Sequence, residues 1–278
     1  MTENSVNRDA AWIAREYGSE KWPAILGRIE AELAAGETDL CRIVSKVKDW
    51  ELSRGGKADR RVIVMGQPLD LPYALGFRAG ANLIFEKLAG LLDGAEAIVE
   101  LGSGWGYNLF HLWLAGAPRR ARYFALEYTE AGRRCSERLA ALGSGPDLTT
   151  LPFDYYHVDL SALGRFSGRV VVFSLFSIDQ IPTLPPDIFP ALAALAPRVD
   201  CLHFEPAGWQ MTDDNCLGSS RAYAERHDYN RNLWPLLQGL ESEGRLKIEE
   251  SFPNFFGQNP ENSAALIRWS SGSSPLSA

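Results

Sequence analysis

Residues 98–108 read Ile98-Val99-Glu100-Leu101-Gly102-Ser103-Gly104-Trp105-Gly106-Tyr107-Asn108, an apolar run that breaks into three glycines within five residues. Glycines so spaced let the backbone turn tightly and approach a ligand where a Cβ would collide. Residues 97–101 suit a buried strand, and Leu109, Leu112 and Trp113 recur at helical spacing. A strand, a glycine turn and a helix in that order aim the first amides of the helix at a ligand. The spacing departs from the dinucleotide fingerprint G-x-G-x-x-G, because Tyr107 stands where the third glycine belongs. That glycine permits close packing of the helix, so its absence disfavours a pyrophosphate and favours a smaller ligand.

Working outward, residues 122–126 form a second short apolar run, ending in Glu127 and Tyr128 before a helix-like stretch through Arg138 and Leu142. An acid at a strand tip can accept both hydroxyls of a ribose. With these two features the chain resembles the class I S-adenosylmethionine-dependent methyltransferases, whose glycine motif is similar to residues 100–106 and whose ribose acid matches Glu127. The resemblance covers about residues 97–270. It implies S-adenosylmethionine as cofactor, held by Gly102, Ser103, Gly104, Gly106, Tyr107 and Asn108, with Glu127 and Tyr128 at the ribose. Tyr156-His157-Val158-Asp159-Leu160 is similar to the segment that binds the adenine through an acid and a backbone amide, which assigns Asp159 and Leu160 there. Residues 170–175 match the fourth strand, with Ser174 in the cofactor set, and Ser177, Asp179 and Gln180 follow near the transferred methyl. The fold implied is α/β, a doubly wound, seven-stranded, mostly parallel sheet whose last strand returns antiparallel.

The chain has 278 residues, 46% hydrophobic and 23% charged, ample for a large core. A net charge of −7 argues against a general nucleic-acid binder, which needs a concentrated basic surface. No basic segment followed by an apolar core opens the chain, and no apolar run spans a bilayer, so a cytoplasmic location without membrane attachment is expected. Cys41, Cys135, Cys201 and Cys216 lack C-x-x-C pairing and are expected to be reduced.

Three regions are expected: residues 1–92, a helical extension and cofactor lid; residues 93–270, the catalytic domain; and residues 271–278, a disordered tail. Within the first, Trp12, Ile13, Tyr17, Trp22, Ile25, Ile29 and Leu33 recur at helical intervals, interrupted by Pro23 and Gly36. Residues 60–65 suit a short strand, residues 69–75 are irregular around prolines, and a helix runs from about 77 to 92. Because the segment before the glycine motif often folds over the cofactor, Tyr73 and Arg78 are lid candidates, Arg78 pairing with the methionyl carboxylate. Further strands are expected at residues 200–205, 246–256 and 263–269, with helices at about 187–195 and 235–241.

Methyl transfer requires a nucleophile held in line behind the methyl group, and a proton acceptor where the nucleophile carries a proton. Asp179, Glu205 and His227 are the candidate catalytic residues, and Tyr73, Gln180, Trp209 and Tyr223 the candidate acceptor-binding ones. Two acids among aromatic rings suit a cationic acceptor, to which Trp209 can add a cation–π contact. The acceptor expected is nitrogen or oxygen on a polar small molecule or modified peptide, of the kind met in specialised metabolism, and a homodimer is compatible with the sequence. Two alternatives stand beside this. Asp213-Asp214-Asn215 resembles the Asp-Asn pair of metal-assisted O-methyltransferases, although it lies beyond the strand end where those ligands belong. A catalytically silent partner with the same fold is the other; a nicotinamide-dependent oxidoreductase is the runner-up on cofactor. Cys201, His203 and Glu205 face one side of their strand, which a doubly buried strand explains without a metal.

Overall fold

The computed structural model describes residues 8–54, 59–212 and 218–272. Its N-terminal arm begins with α1 (Ala10–Ile13), winds through a π-helical stretch (Ala14–Lys21) and continues into α2 (Trp22–Ala34) and α3 (Leu40–Ser53). In the π-helical stretch the amide of Trp22 donates to the carbonyl of Tyr17, five residues back. Wide winding brings residues five apart onto one face. Trp12, Tyr17 and Trp22 are so spaced, and their rings follow one another at 6.2 and 5.7 Å between centroids.

A hairpin of β1 (Asp59–Val64) and β2 (Gln67–Pro72) then leads into α4 (Tyr73–Leu92). The doubly wound part follows as β3 (Ala95–Leu101), α5 (Tyr107–Leu114), β4 (Arg122–Glu127), α6 (Glu130–Ala140), β5 (Leu148–Pro152), β6 (Arg169–Leu175), α7 (Ile188–Ala193) and β7 (Arg198–Glu205). After β7 come α8 (Gly208–Met211), α9 (Gly218–Arg226) and α10 (Leu233–Ser242), then the hairpin of β8 (Lys247–Gly257) and β9 (Ala264–Ser271).

Among the described residues all strands form one sheet, in the order β2-β1-β8-β9-β7-β6-β3-β4-β5. β3, β4, β5, β6 and β7 run parallel, and β9 returns antiparallel between β7 and β8. The seven strands from β3 to β9 are those expected. The sheet has nine because β1 joins the edge of β8 at Ile63–Gly257 and Val64–Phe256 and carries β2 with it. Residues 67–72 thus form a strand where the prolines suggested irregular chain. Pro68 and Pro72 are compatible with a strand there because β2 is the sheet edge, where half the amides need no partner.

Alternation along β3 divides the core. Ala97, Val99 and Leu101 pack on one face with α7 and α10, whereas Ile98 packs on the other with α4 and α5. A third cluster joins Ile25 and Ile29 of α2 and Ile43 and Val47 of α3 to Phe110 of α5 and Leu139 of α6, fastening the extension to the sheet layer. The helix-like run at residues 221–232 ends earlier than its composition implies, since α9 stops at Arg226 and Asp228 takes a left-handed φ of 53°. β9 continues through Ser271; the rest of the expected tail, residues 273–278, lies outside the described residues, as do Asp213, Asp214, Asn215 and Cys216. Among the described residues, no helix is long and apolar enough to cross a membrane.

Candidate active site

The glycine turn closes β3 where the strand order changes direction, with β4 on one side and β6 on the other. A doubly wound sheet opens its crevice there, beyond the carboxyl ends of the strands. Gly102 and Gly104 have φ of 65° and 56°, a region that strains any residue with a Cβ. Gly106 gives α5 room to approach α6: a Cβ there would lie 2.5 Å from Ser136 Oγ. The packing role of the absent third glycine is thus taken by Gly106 itself.

β4 is bound to this turn at two points. The Ser103 amide donates to the Leu126 carbonyl at 2.9 Å. The Gly104 amide donates to Glu127 Oε2, also at 2.9 Å, while Glu127 Oε1 accepts from the Thr129 amide at 2.9 Å and from its hydroxyl at 2.7 Å. Thr129 in turn caps α6 by accepting from the Gly132 amide. Glu127 is 6% exposed, and burial raises its pKa against the opposing effect of these donors.

Above the turn lies a cleft of about 610 Å³, measured to its open mouth. Gly102 and Glu127 line its floor; Tyr128, Asp154 and Tyr155 line the side beyond β4 and β5; Phe176, Ser177 and Gln180 line the side beyond β6. Ile13, Tyr17 and Trp22 of the N-terminal arm line it as well, and a Cβ on Gly104 would come within 2.7 Å of the Trp22 ring. The arm therefore rests on the glycine turn itself. The regular spacing of Trp12, Tyr17 and Trp22 was the available sequence signal, hidden by reading the segment at α-helical period.

The other expected cofactor residues divide. Asn108 donates to Glu100 Oε1 at 2.5 Å and steadies the strand end, while Ser103 Oγ and Glu100 Oε2 are buried without a hydrogen-bond partner. Tyr107 turns away from the cleft into a groove with Lys48, whose ammonium sits 4.2 Å from its ring. Asp159 is exposed and bonded to the Ser161 amide, and Leu160 packs against the core; Asp154 is the acid of this loop that lines the cleft. Asp154 accepts from the Tyr156 amide at 2.8 Å. Arg78 is exposed and paired with Asp49 at 2.6 Å, and Tyr73 lies under the Arg60 guanidinium at 4.6 Å, so neither lines the cleft.

Beyond β6 and β7 two carboxylates are buried together. Glu205 accepts from the amides of Ser177 (3.1 and 3.2 Å) and Asp179 (3.2 Å). These bonds hold the turn after β6, where Phe176 has a φ of 48°. Behind Glu205 a buried polar line runs inward. The Trp269 indole, a donor only, donates to His203 Nε2 at 3.0 Å, so Nδ1 carries the proton and donates to Ser174 Oγ at 2.9 Å. The Ser174 hydroxyl is then free to bond Glu205. Ser174 and His203 thus support the turn from within the sheet. Asp179 Oδ2 accepts from the Gln180 side chain at 2.8 Å; its Oδ1 is buried without a hydrogen-bond partner. His227 stacks on Tyr223 at 4.2 Å and lies 5.8 Å from Tyr229, an aromatic group next to this turn. Trp209 lies outside the cleft lining, near the Arg221 guanidinium at 5.6 Å. Among the described residues, no group of three or more His, Cys, Asp or Glu side chains is arranged to hold a metal ion.

Burial pushes the pKa of Glu205 up to about 8, with the Asp179 charge acting in the same direction. A carboxyl group raised in this way binds its proton more tightly folded than unfolded, so it lowers stability as pH rises from the unfolded value towards 8. His203, held down to about 3 by burial, acts oppositely but only below its unfolded value near 6.5. Between pH 6.5 and 8, then, stability is expected to fall with pH by at most about 1.4 kcal/mol per unit for this group. Thermal denaturation of Glu205→Gln should give a flatter profile there than the wild type; equal slopes would exclude the assignment.

No protein-family model matches the chain, and neither does any curated protein. Solved structures do resemble it. Magnesium protoporphyrin IX methyltransferase from Synechocystis, with bound SAH, is 15% identical over 72% of this chain and 84% of its own, with a TM-score of 0.47. An O-methyltransferase from Streptomyces achromogenes involved in tomaymycin synthesis, in complex with SAM, is 17% identical over 70% and 81%, with a TM-score of 0.46. The ribosomal protein L11 methylase from Lactobacillus delbrueckii subsp. bulgaricus is 14% identical over 70% and 79%, at 0.41.

Proposed function

We propose that the chain is an S-adenosylmethionine-dependent methyltransferase acting on nitrogen or oxygen of a polar small molecule or modified peptide. The observation that carries this is the pairing of Glu127 with the Gly104 amide across the floor of the cleft. It places a carboxylate at the second strand tip beside a glycine turn with no room for side chains, which suits a ribose next to a compact amino-acid tail. Buried, unpartnered Glu100 Oε2 and Ser103 Oγ beside the turn are further polar atoms suited to such a ligand.

When bound, S-adenosylmethionine would supply an activated methyl group for in-line displacement. Gly102, Gly104 and Glu127 would bind and orient it, with Asp154 and the Tyr155 and Tyr156 rings beside the adenine. Trp22 and Tyr17 would exclude water from above. Positioning of this kind accounts for about 7–11 kcal/mol of barrier lowering where geometry is good. Asp179, raised by burial to about 6, is suited to take a proton near neutral pH, whereas Glu205 is a positioning residue for the turn that carries it.

Calorimetric titration tests the proposal. S-adenosylmethionine and its demethylated product should bind in the micromolar range and a nicotinamide dinucleotide should not. Absence of heat with both sulfur nucleosides would overturn the reading at its first step.

A further inference from the structure

Next to the cleft, Arg8 of the N-terminal arm is only 6% exposed. Its guanidinium lies between two rings, 4.1 Å from the centroid of Trp12 and 4.6 Å from that of Tyr229. Its Nε donates to the His227 carbonyl at 2.6 Å, and a terminal nitrogen donates to Gln180 Oε1. The backbone is tied too: the Arg8 amide donates to Asp228 at 3.2 Å and its carbonyl accepts from the Tyr156 hydroxyl at 2.7 Å. Gln180 and Tyr156 both line the cleft, so this cage adjoins it.

The fixed walls of the cage have the chemistry of a site for an organic cation. They offer an aromatic face, a backbone carbonyl and an amide oxygen, and Gln180, whose oxygen accepts from Arg8, donates through its nitrogen to the buried carboxylate of Asp179 at 2.8 Å. Arg8 fills the cage incompletely. Among the described residues it forms no ion pair with Asp179, whose Oδ1 stays buried without a hydrogen-bond partner. A cation that displaced Arg8 would compete by making a charge-assisted hydrogen bond to that oxygen, which Arg8 does not make. That difference allows a ligand to compete with an intramolecular occupant.

We propose that this cage is the cation subsite of the acceptor, that the acceptor carries a guanidinium or primary ammonium group, and that Arg8 holds the place until displaced. This rests on the methyltransferase reading for the word acceptor; the cation site itself stands on the cage.

The full-length chain is titrated with agmatine and with N-butylurea, a neutral analogue that lacks both the guanidinium and the ammonium group, each with and without S-adenosylhomocysteine. Agmatine should bind at least ten times more tightly than the urea. Arg8→Ala should tighten agmatine at least tenfold by removing the competitor. Asp179→Asn should weaken it at least tenfold while S-adenosylhomocysteine affinity stays within twofold. Should Arg8→Ala not fold, Arg8→Gln removes the charge while keeping a polar side chain and should likewise tighten agmatine. Equal binding of agmatine and the urea, or weaker agmatine binding by a folded Arg8 variant, would overturn the proposal. Agmatine binding without any S-adenosylhomocysteine binding would overturn the methyltransferase reading and leave the cation site standing; the reverse would overturn the cation site alone.

Discussion

Replacing Glu127 by alanine is expected to raise the dissociation constant for S-adenosylmethionine roughly 10- to 150-fold, the equivalent of one charge-assisted hydrogen bond of about 1.5–3 kcal/mol. The figure is one bond rather than two because of how the carboxylate is already used. An ionised carboxylate has about four acceptor positions, and the Gly104 amide, the Thr129 amide and the Thr129 hydroxyl fill three of them. One ribose hydroxyl can therefore bond directly, while a second would displace the Thr129 hydroxyl. Glu127→Gln should lose less, since it retains one side-chain acceptor. Calorimetry on variants whose thermal unfolding is still cooperative would measure this. An affinity for Glu127→Ala within twofold of the wild type would remove Glu127 from the cofactor site.

The second large effect concerns the turn itself. Gly102→Ala is expected to destabilise the chain by about 2–5 kcal/mol, combining roughly 1–2 kcal/mol for a left-handed alanine with 1–3 kcal/mol for steric overlap. A Cβ at this position would lie 2.5 Å from Ser177 Cβ and 2.9 Å from its Oγ. Ser177 cannot yield cheaply: its hydroxyl donates to the Leu101 carbonyl at 2.9 Å and meets the Tyr155 hydroxyl at 2.8 Å, while its amide is held by Glu205. Strain at residue 102 would thus pass into the turn that carries Asp179. For a chain of this size the loss corresponds to a Tm lower by roughly 3–9 °C. By contrast Gly90, whose Cβ would meet nothing within 4 Å, should accept alanine with little change. Equal tolerance of both substitutions would show that the turn after β6 is softer than its hydrogen bonds imply.

Glu127 was legible from the amino-acid order because it lies one strand and helix after the glycine turn, and that spacing is a local property of the α/β unit. The acid that lines the cleft beyond β5 was harder to place. β5 is short and reads Leu148-Thr149-Thr150-Leu151-Pro152, with little apolar contrast to mark its end, so Asp159 stood out while Asp154, two residues past the strand, lines the cleft. Chain order puts the lid candidates next to the glycine motif, at Tyr73 and Arg78. Those residues face α3 and β1, and the cleft is lined instead by Ile13, Tyr17 and Trp22.

Order along the chain was enough to determine the strand, the glycine turn, the helix and the acid at the next strand tip, because hydrophobic period and backbone sterics act over a few residues. Tertiary structure alone decided what surrounds them. Arg8 meets Gln180 across 172 positions and His227 across 219, contacts that no local pattern reports. Nor does a lone Asp or Glu in a sequence reveal its protonation. Asp179 and Glu205 are both raised by the water they lose, and Glu205 also by the charge of Asp179, and both depend on packing that exists only once β6, β7 and the N-terminal arm have come together.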